Sequence, residues 1–151
     1  MTTARWLNDQ EQELWRLLLA AVRYVNRGMD NTLQDGHGIS VPEFAVLVHL
    51  SESKEKETRL RDLCASLNWD RSRTSHQITR MERRGLVVKH RCSEDGRGVI
   101  VELTAEGRRR LESAAPDHVE SVRQLFFDKV SREELAMLQP ALERILGEKQ
   151  G

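Results

Sequence analysis

Apolar residues recur at helical spacing over the first part of the chain. Leu14, Leu18, Val22, Val25, Met29 and Leu33 fall on one stripe, which Trp15, Leu19 and Ala21 widen. A stripe this broad predicts a long amphipathic helix from about Asp9 to Gln34 with a buried face. Gly36 and Gly38 then break the pattern. Ile39-Ser40-Val41-Pro42-Glu43-Phe44 reads as a helix start, because Ser40 and Glu43 are spaced for a capping box and Ile39 and Phe44 for a staple across it. This second helix runs to about Ser51 and gives way to a polar linker, SESKEKET. Leu60, Leu63, Cys64 and Leu67 mark a short helix ending near Asn68. After the turn Asn68-Trp69-Asp70 comes DRSRTSHQITRMERRG, a helix that Asp70 can cap and Gly85 can end in a left-handed turn. Within it Thr74, Ile78 and Met81 share a narrow inward face.

The period then changes from helical to alternating. LVVKHRC and VIVELT flank SEDGRG, two strands around a loop containing Asp-Gly. Thr104 caps a further helical pattern that reaches about Lys129 and is interrupted by Pro116, where a kink is expected. Ser131 and Glu134 form a second capping box, with Val130 and Leu135 as its staple. The last helix carries Leu138, Leu142, Ile145 and Leu146, and Pro140 predicts a bend or break inside it. Two short helices joined by a tight turn and followed by a hairpin make a winged helix-turn-helix. The fold class is therefore mainly α with a small β-hairpin wing. The chain reads as one domain, 1–151, in which 40–103 form a DNA-binding lobe. Segments 1–39 and 104–151 supply helices whose apolar faces exceed what one winged helix can cover, so an interlocked homodimer is expected.

Composition sharpens this picture. With 32% charged residues and a mean hydropathy of −0.59, the 151-residue chain has a lean core that a partner subunit would complete. No apolar run approaches the roughly 20 residues of a membrane helix. The N-terminal MTTARWLNDQEQ lacks a signal-peptide core, so no membrane partner and a cytoplasmic location are expected. A net charge of zero would by itself argue against nucleic acid, but its distribution reverses that inference. Between Arg71 and Arg110 eleven basic residues face five acidic ones, so this segment carries +6 and the remainder −6.

Charge and hydrogen-bond donors concentrate on the helix after Asp70. Its outer face holds Ser72, His76, Thr79, Arg80 and Arg83, with Arg73 on the shoulder and no acidic residue among them. A DNA groove is the simplest partner for such a face, the plain alternative being a solvated surface helix. Ser72, Arg73, Ser75 and His76, with Arg71 beside them, lie in the half of a recognition helix that reaches base edges. Arg73 is the first choice for reading a guanine. Arg80 and Arg83 suit phosphates, and Arg97, near the wing tip, suits the minor groove.

Cys64 and Cys92 lie far apart without a CxxC pattern, which argues against a disulfide scaffold or a zinc knuckle. Cys64 reads first as a small buried hydrophobe. Cys92 stands beside Lys89, His90 and Arg91, where positive charge favours a reactive thiolate, although its strand parity matches Leu86 and Val88. Oxidation of either thiol would displace the wing or the reading helix and so release DNA. A phenolic or other aromatic carboxylate bound between the lobe and the dimer helices is the alternative signal. There is no phosphate-binding glycine loop, nucleophile elbow or HExxH, so neither an enzyme nor a cofactor is expected. Asp117, His118 and Glu120 read as solvated polar residues rather than metal ligands. A winged helix used for protein contacts or non-specific DNA packaging is the different-class alternative.

Taken together, DLCASLNWDRSRTSHQITRMERRGLV, the wing DGRG and VELTAEGRRRLE resemble the multiple-antibiotic-resistance regulator (MarR) family along nearly the whole chain. The resemblance implies a triangular dimer of winged-helix lobes on an approximately palindromic operator, usually a repressor of nearby genes. It also implies relief of binding by a small ligand or by cysteine oxidation. Many members carry Asp-Arg-Arg in the wing, where this chain has Asp95-Gly96-Arg97-Gly98 and one arginine at the tip.

Overall fold

Caps and turns set the helix ends in the computed structural model, which describes residues 2–91 and 98–147. Asn8 and Glu11 exchange side-chain and backbone hydrogen bonds of 2.8 and 2.9 Å and start helix α1, Asp9–His37. Gly36 stays within that helix, and the chain turns only at Gly38, whose φ of +64° suits a residue without Cβ. Ser40 and Glu43 complete the expected capping box of α2, Val41–Glu52. A short 3-10 turn, Lys54–Lys56, leads to strand β1, Glu57–Arg59, and then to α3, Leu60–Leu67, and α4, Arg71–Arg83. Strands β2, Val87–Arg91, and β3, Val99–Leu103, precede α5, Ala105–Leu125; a 3-10 turn, Phe127–Lys129, and α6, Arg132–Leu146, close the described chain.

The SESKEKET segment departs from expectation. Glu57-Thr58-Arg59 is not linker but an edge strand, and the sheet has three antiparallel strands in the order β1-β3-β2. Three residues without an apolar alternation leave no period to detect; pairing with the free edge of β3 makes the strand. Both internal prolines are accommodated within continuous helices, so the break weighed at Pro140 does not occur. Pro116 lies inside α5 and Pro140 inside α6, and neither helix ends there. Each removes one donor from the ladder, and the carbonyls so released belong to the exposed residues Glu112 and Ala136, where water can replace the lost bond.

Contacts divide the chain into two compact units, Asp30–His118 and the paired segments Met1–Met29 and Val119–Gly151. In the first, Leu33, Ile39, Leu47, Leu50, Leu63, Ile78, Met81 and Val101 are wholly buried in one core. Thr104 organises the joint between the sheet and α5. Its hydroxyl accepts the Gly107 N–H at 2.9 Å and lies 2.7 and 2.9 Å from the carbonyls of Gly85 and Leu86. A Cβ at Gly107 would collide with the Leu86 carbonyl oxygen, so the Thr-Ala-Glu-Gly stretch is fixed by packing. In the second unit large apolar side chains are exposed, including Trp6, Leu14, Met137, Ile145 and Leu146. No helix among the described residues is long and apolar enough to cross a membrane.

Candidate nucleic-acid interface

The turn between α3 and α4 is built by backbone geometry. Asn68 takes a left-handed conformation (φ 56°), and the Trp69 N–H donates to the Cys64 carbonyl at 3.1 Å. Asp70 then caps α4: its Oδ1 accepts the Arg73 N–H at 2.7 Å, while its carbonyl accepts the Thr74 hydroxyl at 2.8 Å. Thr74, Ile78 and Met81 are buried as the spacing predicts. Gln77 joins them, which the apolar pattern missed because glutamine is usually a surface residue. Its Oε1 accepts Arg80 Nη2 at 2.9 Å, so this buried amide orients an exposed guanidinium.

The outward side of α4 is free of such burial. Arg71, Ser72, Arg73, Ser75, His76, Arg80 and Arg83 are all exposed. Arg73 lies over the Trp69 ring, 4.9 Å from its centroid, a cation–π contact that holds its stem near the helix start. The wing strand is strapped to the same helix through Lys89. Its backbone N–H donates to Glu82 Oε2 at 2.8 Å, and its Nζ reaches the Thr79 hydroxyl at 3.1 Å. Nothing in the local sequence signalled this strap; only the fold brings residues 79, 82 and 89 together. Cys64 is half-buried at the margin of the core, and Cys92 and Arg97 lie outside the described residues.

Several of the basic residues counted in the sequence are occupied elsewhere. Arg84 donates to Glu43 Oε2 and to the Gly38 carbonyl, each at 2.6 Å. Arg109 and Arg110 both pair with Glu106, whose carboxyl they hold below the usual carboxylate range, Arg109 foremost. Among the described residues, the positive charge available to a partner is therefore narrower than the sequence count and is centred on α4. Asp117 and His118 are not gathered as a ligand set. His37 Nε2 lies 2.8 Å from Asp117 Oδ2, and the His118 ring packs on Phe44 with centroids 4.3 Å apart. Burial lowers the His118 pKa from its ordinary value of 6.5.

Residues 29–113, more than half of the chain, match the family model of the transcriptional regulator SarA/Rot. The chain belongs to this family of winged-helix transcriptional regulators. SarA of Staphylococcus aureus is 31% identical to this SarA/Rot member over 96 residues, 64% of this chain and 77% of that protein. The match extends to the MarR family. AbsC, a MarR family regulator from Streptomyces coelicolor, is 39% identical with a TM-score of 0.90, covering 95% of this chain and 96% of AbsC. Sco3205, a MarR family regulator from the same organism solved in complex with DNA, is 33% identical with a TM-score of 0.92, covering 97% and 91%. These relatives are transcriptional regulators and not enzymes.

Proposed function

We propose that this MarR-type chain acts as a homodimeric repressor that reads an approximately palindromic operator through α4 and the wing. The observation that carries the reading is the outer face of α4, where Ser72, Arg73, Ser75 and His76 stand exposed at the helix start with no acid among them. The DNA complex of Sco3205 supports DNA as the partner. In this reading Arg73, steadied on Trp69, addresses a guanine, Arg71, Arg80 and Arg83 contact phosphates, and Arg97 enters the minor groove. The exposed apolar faces of the terminal helices are buried against a second copy, which sets half-sites about one helical turn apart.

Release is assigned to thiol oxidation through Cys64. Its carbonyl anchors the turn residue Trp69, and its side chain packs at the core margin, so an oxidised sulfur there would disturb the turn that aims α4. Fluorescence anisotropy on DNA from upstream of the gene tests the whole reading. Arg73→Ala is expected to lose about 1–3 kcal/mol of discrimination at one base pair. Arg83→Ala should weaken all sequences alike and flatten the salt dependence by roughly 0.9 per contact. Binding indifferent to sequence at every salt concentration overturns the operator reading. Peroxide should release the wild type and Cys92→Ser but not Cys64→Ser. Resistance confined to Cys92→Ser moves the switch to the wing, and a wild type unmoved by peroxide removes oxidation as the signal.

A further inference from the structure

The outer face of the lobe's sheet carries a cluster that DNA reading does not use. Glu57 on β1 stands directly opposite Glu102 on β3, and Glu102 stands opposite Val88 on β2, two residues from His90 and on the same face. Two carboxylates facing each other across a ladder repel, so this register favours a cation between them. His90 Nε2 lies 3.3 Å from Glu102 Oε2 and 4.0 Å from Glu57 Oε2. One ligand atom from each of the three residues falls within 4.8 Å of the other two. All three side chains are partly exposed, which leaves an entry path from solvent.

These distances suit a small ion. Metal–ligand bonds of about 2.0–2.2 Å in a tetrahedron put neighbouring ligand atoms about 3.3–3.6 Å apart. The His90–Glu102 separation of 3.3 Å already meets that edge, and the Glu57 carboxylate, 4.0 Å from the imidazole, would have to shift inward to complete the set. One imidazole nitrogen with two carboxylates is a borderline donor set, suited to Zn2+ rather than to Ca2+ or Mg2+. Three protein ligands leave a position for water. By register Arg59 shares this face, opposite Ile100, and is the cation with which a metal would compete.

We propose that Glu57, His90 and Glu102 bind one divalent transition-metal ion of the Zn2+ class on the outer face of the wing sheet. Because each strand supplies one ligand, the ion would tie β1 to both arms of the wing. The proposal stands apart from the DNA reading, since metal binding is measured without DNA. Chelator-treated full-length protein is titrated with ZnCl2 by calorimetry. One saturable Zn2+ per chain is expected. Loss of a supporting partner already costs about 10–100-fold in metal affinity, so His90→Gln and Glu102→Gln should each weaken binding by at least about tenfold. His37→Gln, which removes a histidine outside the sheet, and Cys92→Ser should leave it unchanged. Thermal unfolding of each metal-free variant verifies that it is folded. No saturable Zn2+ binding in the wild type, equal affinity in His90→Gln, or loss in His37→Gln or Cys92→Ser overturns the site and leaves His90 as a polar neighbour of its two glutamates.

Discussion

The lobe and the terminal helices place their apolar residues in opposite ways. Among the described residues, every buried hydrophobic side chain lies between Leu33 and Ala114, inside the Asp30–His118 unit that contains the lobe. In the other unit, Leu14 is 66% exposed and Ile145 is 74% exposed, although both lie on stripes as regular as any in the lobe. An amphipathic period thus states that a face is to be covered without stating by what. In the lobe the cover comes from the same chain, from α2, α3, α4 and the sheet packed on one core. For the terminal helices the cover we propose is a second copy.

Substitution in each region should separate the two cases. Ile145→Asp is expected to dissociate the dimer. Burying an isoleucine is worth about 1.5–3 kcal/mol, and two-fold symmetry removes two of them, so roughly 3–6 kcal/mol of association is lost before any charge burial. Light scattering after gel filtration should show a monomer whose lobe remains folded by circular dichroism. Leu47→Ala, at a site with no exposure, should instead lower unfolding free energy by about 2–5 kcal/mol in urea while leaving assembly unchanged. An intact dimer in Ile145→Asp would end the contrast.

A smaller effect tests how the lobe holds its reading helix. Arg84 follows α4 and ties the buried Glu43 and the Gly38 carbonyl to that helix end. Arg84→Ala leaves the Glu43 carboxylate with only its capping partner and should cost about 1.5–3 kcal/mol of stability. The exposed neighbour Arg83→Ala should stay within about 0.5 kcal/mol. Adding Glu43→Gln to Arg84→Ala should recover part of the loss, since an unpaired amide is cheaper to bury than an unpaired carboxylate. Equal urea midpoints for Arg83→Ala and Arg84→Ala would show that Arg84 is only a surface charge.

Arg84 also marks the limit of what the sequence reveals. Local signals were legible: the Ser40–Glu43 and Ser131–Glu134 boxes, the Asp70 cap and the Thr74, Ile78, Met81 face all rest on spacings within one element. Whatever depended on distant partners was hidden. Charge counting cannot tell Arg83, which faces solvent, from Arg84, which answers an acid 41 residues away. Neither Gln77 at the buried face nor the three residues of β1 carry a periodic signal, because tertiary packing alone assigns them. Pro140 suggested a bend or break because proline disfavours a helix interior, yet one missing donor on an exposed side does not end α6.

The mildest expected effect lies at the lobe's edge, where His118 rests on Phe44. Desolvation lowers its pKa in the folded chain below the ordinary 6.5. Above that value the ring is neutral in both states and contributes no pH dependence. As the pH falls through it, the unfolded chain takes up the proton first, so unfolding is favoured and stability declines. The decline levels off once the pH is below the folded value, where both states are protonated. Urea unfolding from about pH 7.5 to about pH 5 should therefore show the wild type losing more stability than His118→Gln, which has no ring to protonate. Subtracting the two profiles cancels the carboxylates and the other histidines that titrate in both proteins. A flat difference would mean that the His118 ring is as well solvated in the folded lobe as in the unfolded chain, and that the lobe's burial stops short of Phe44's outer neighbour.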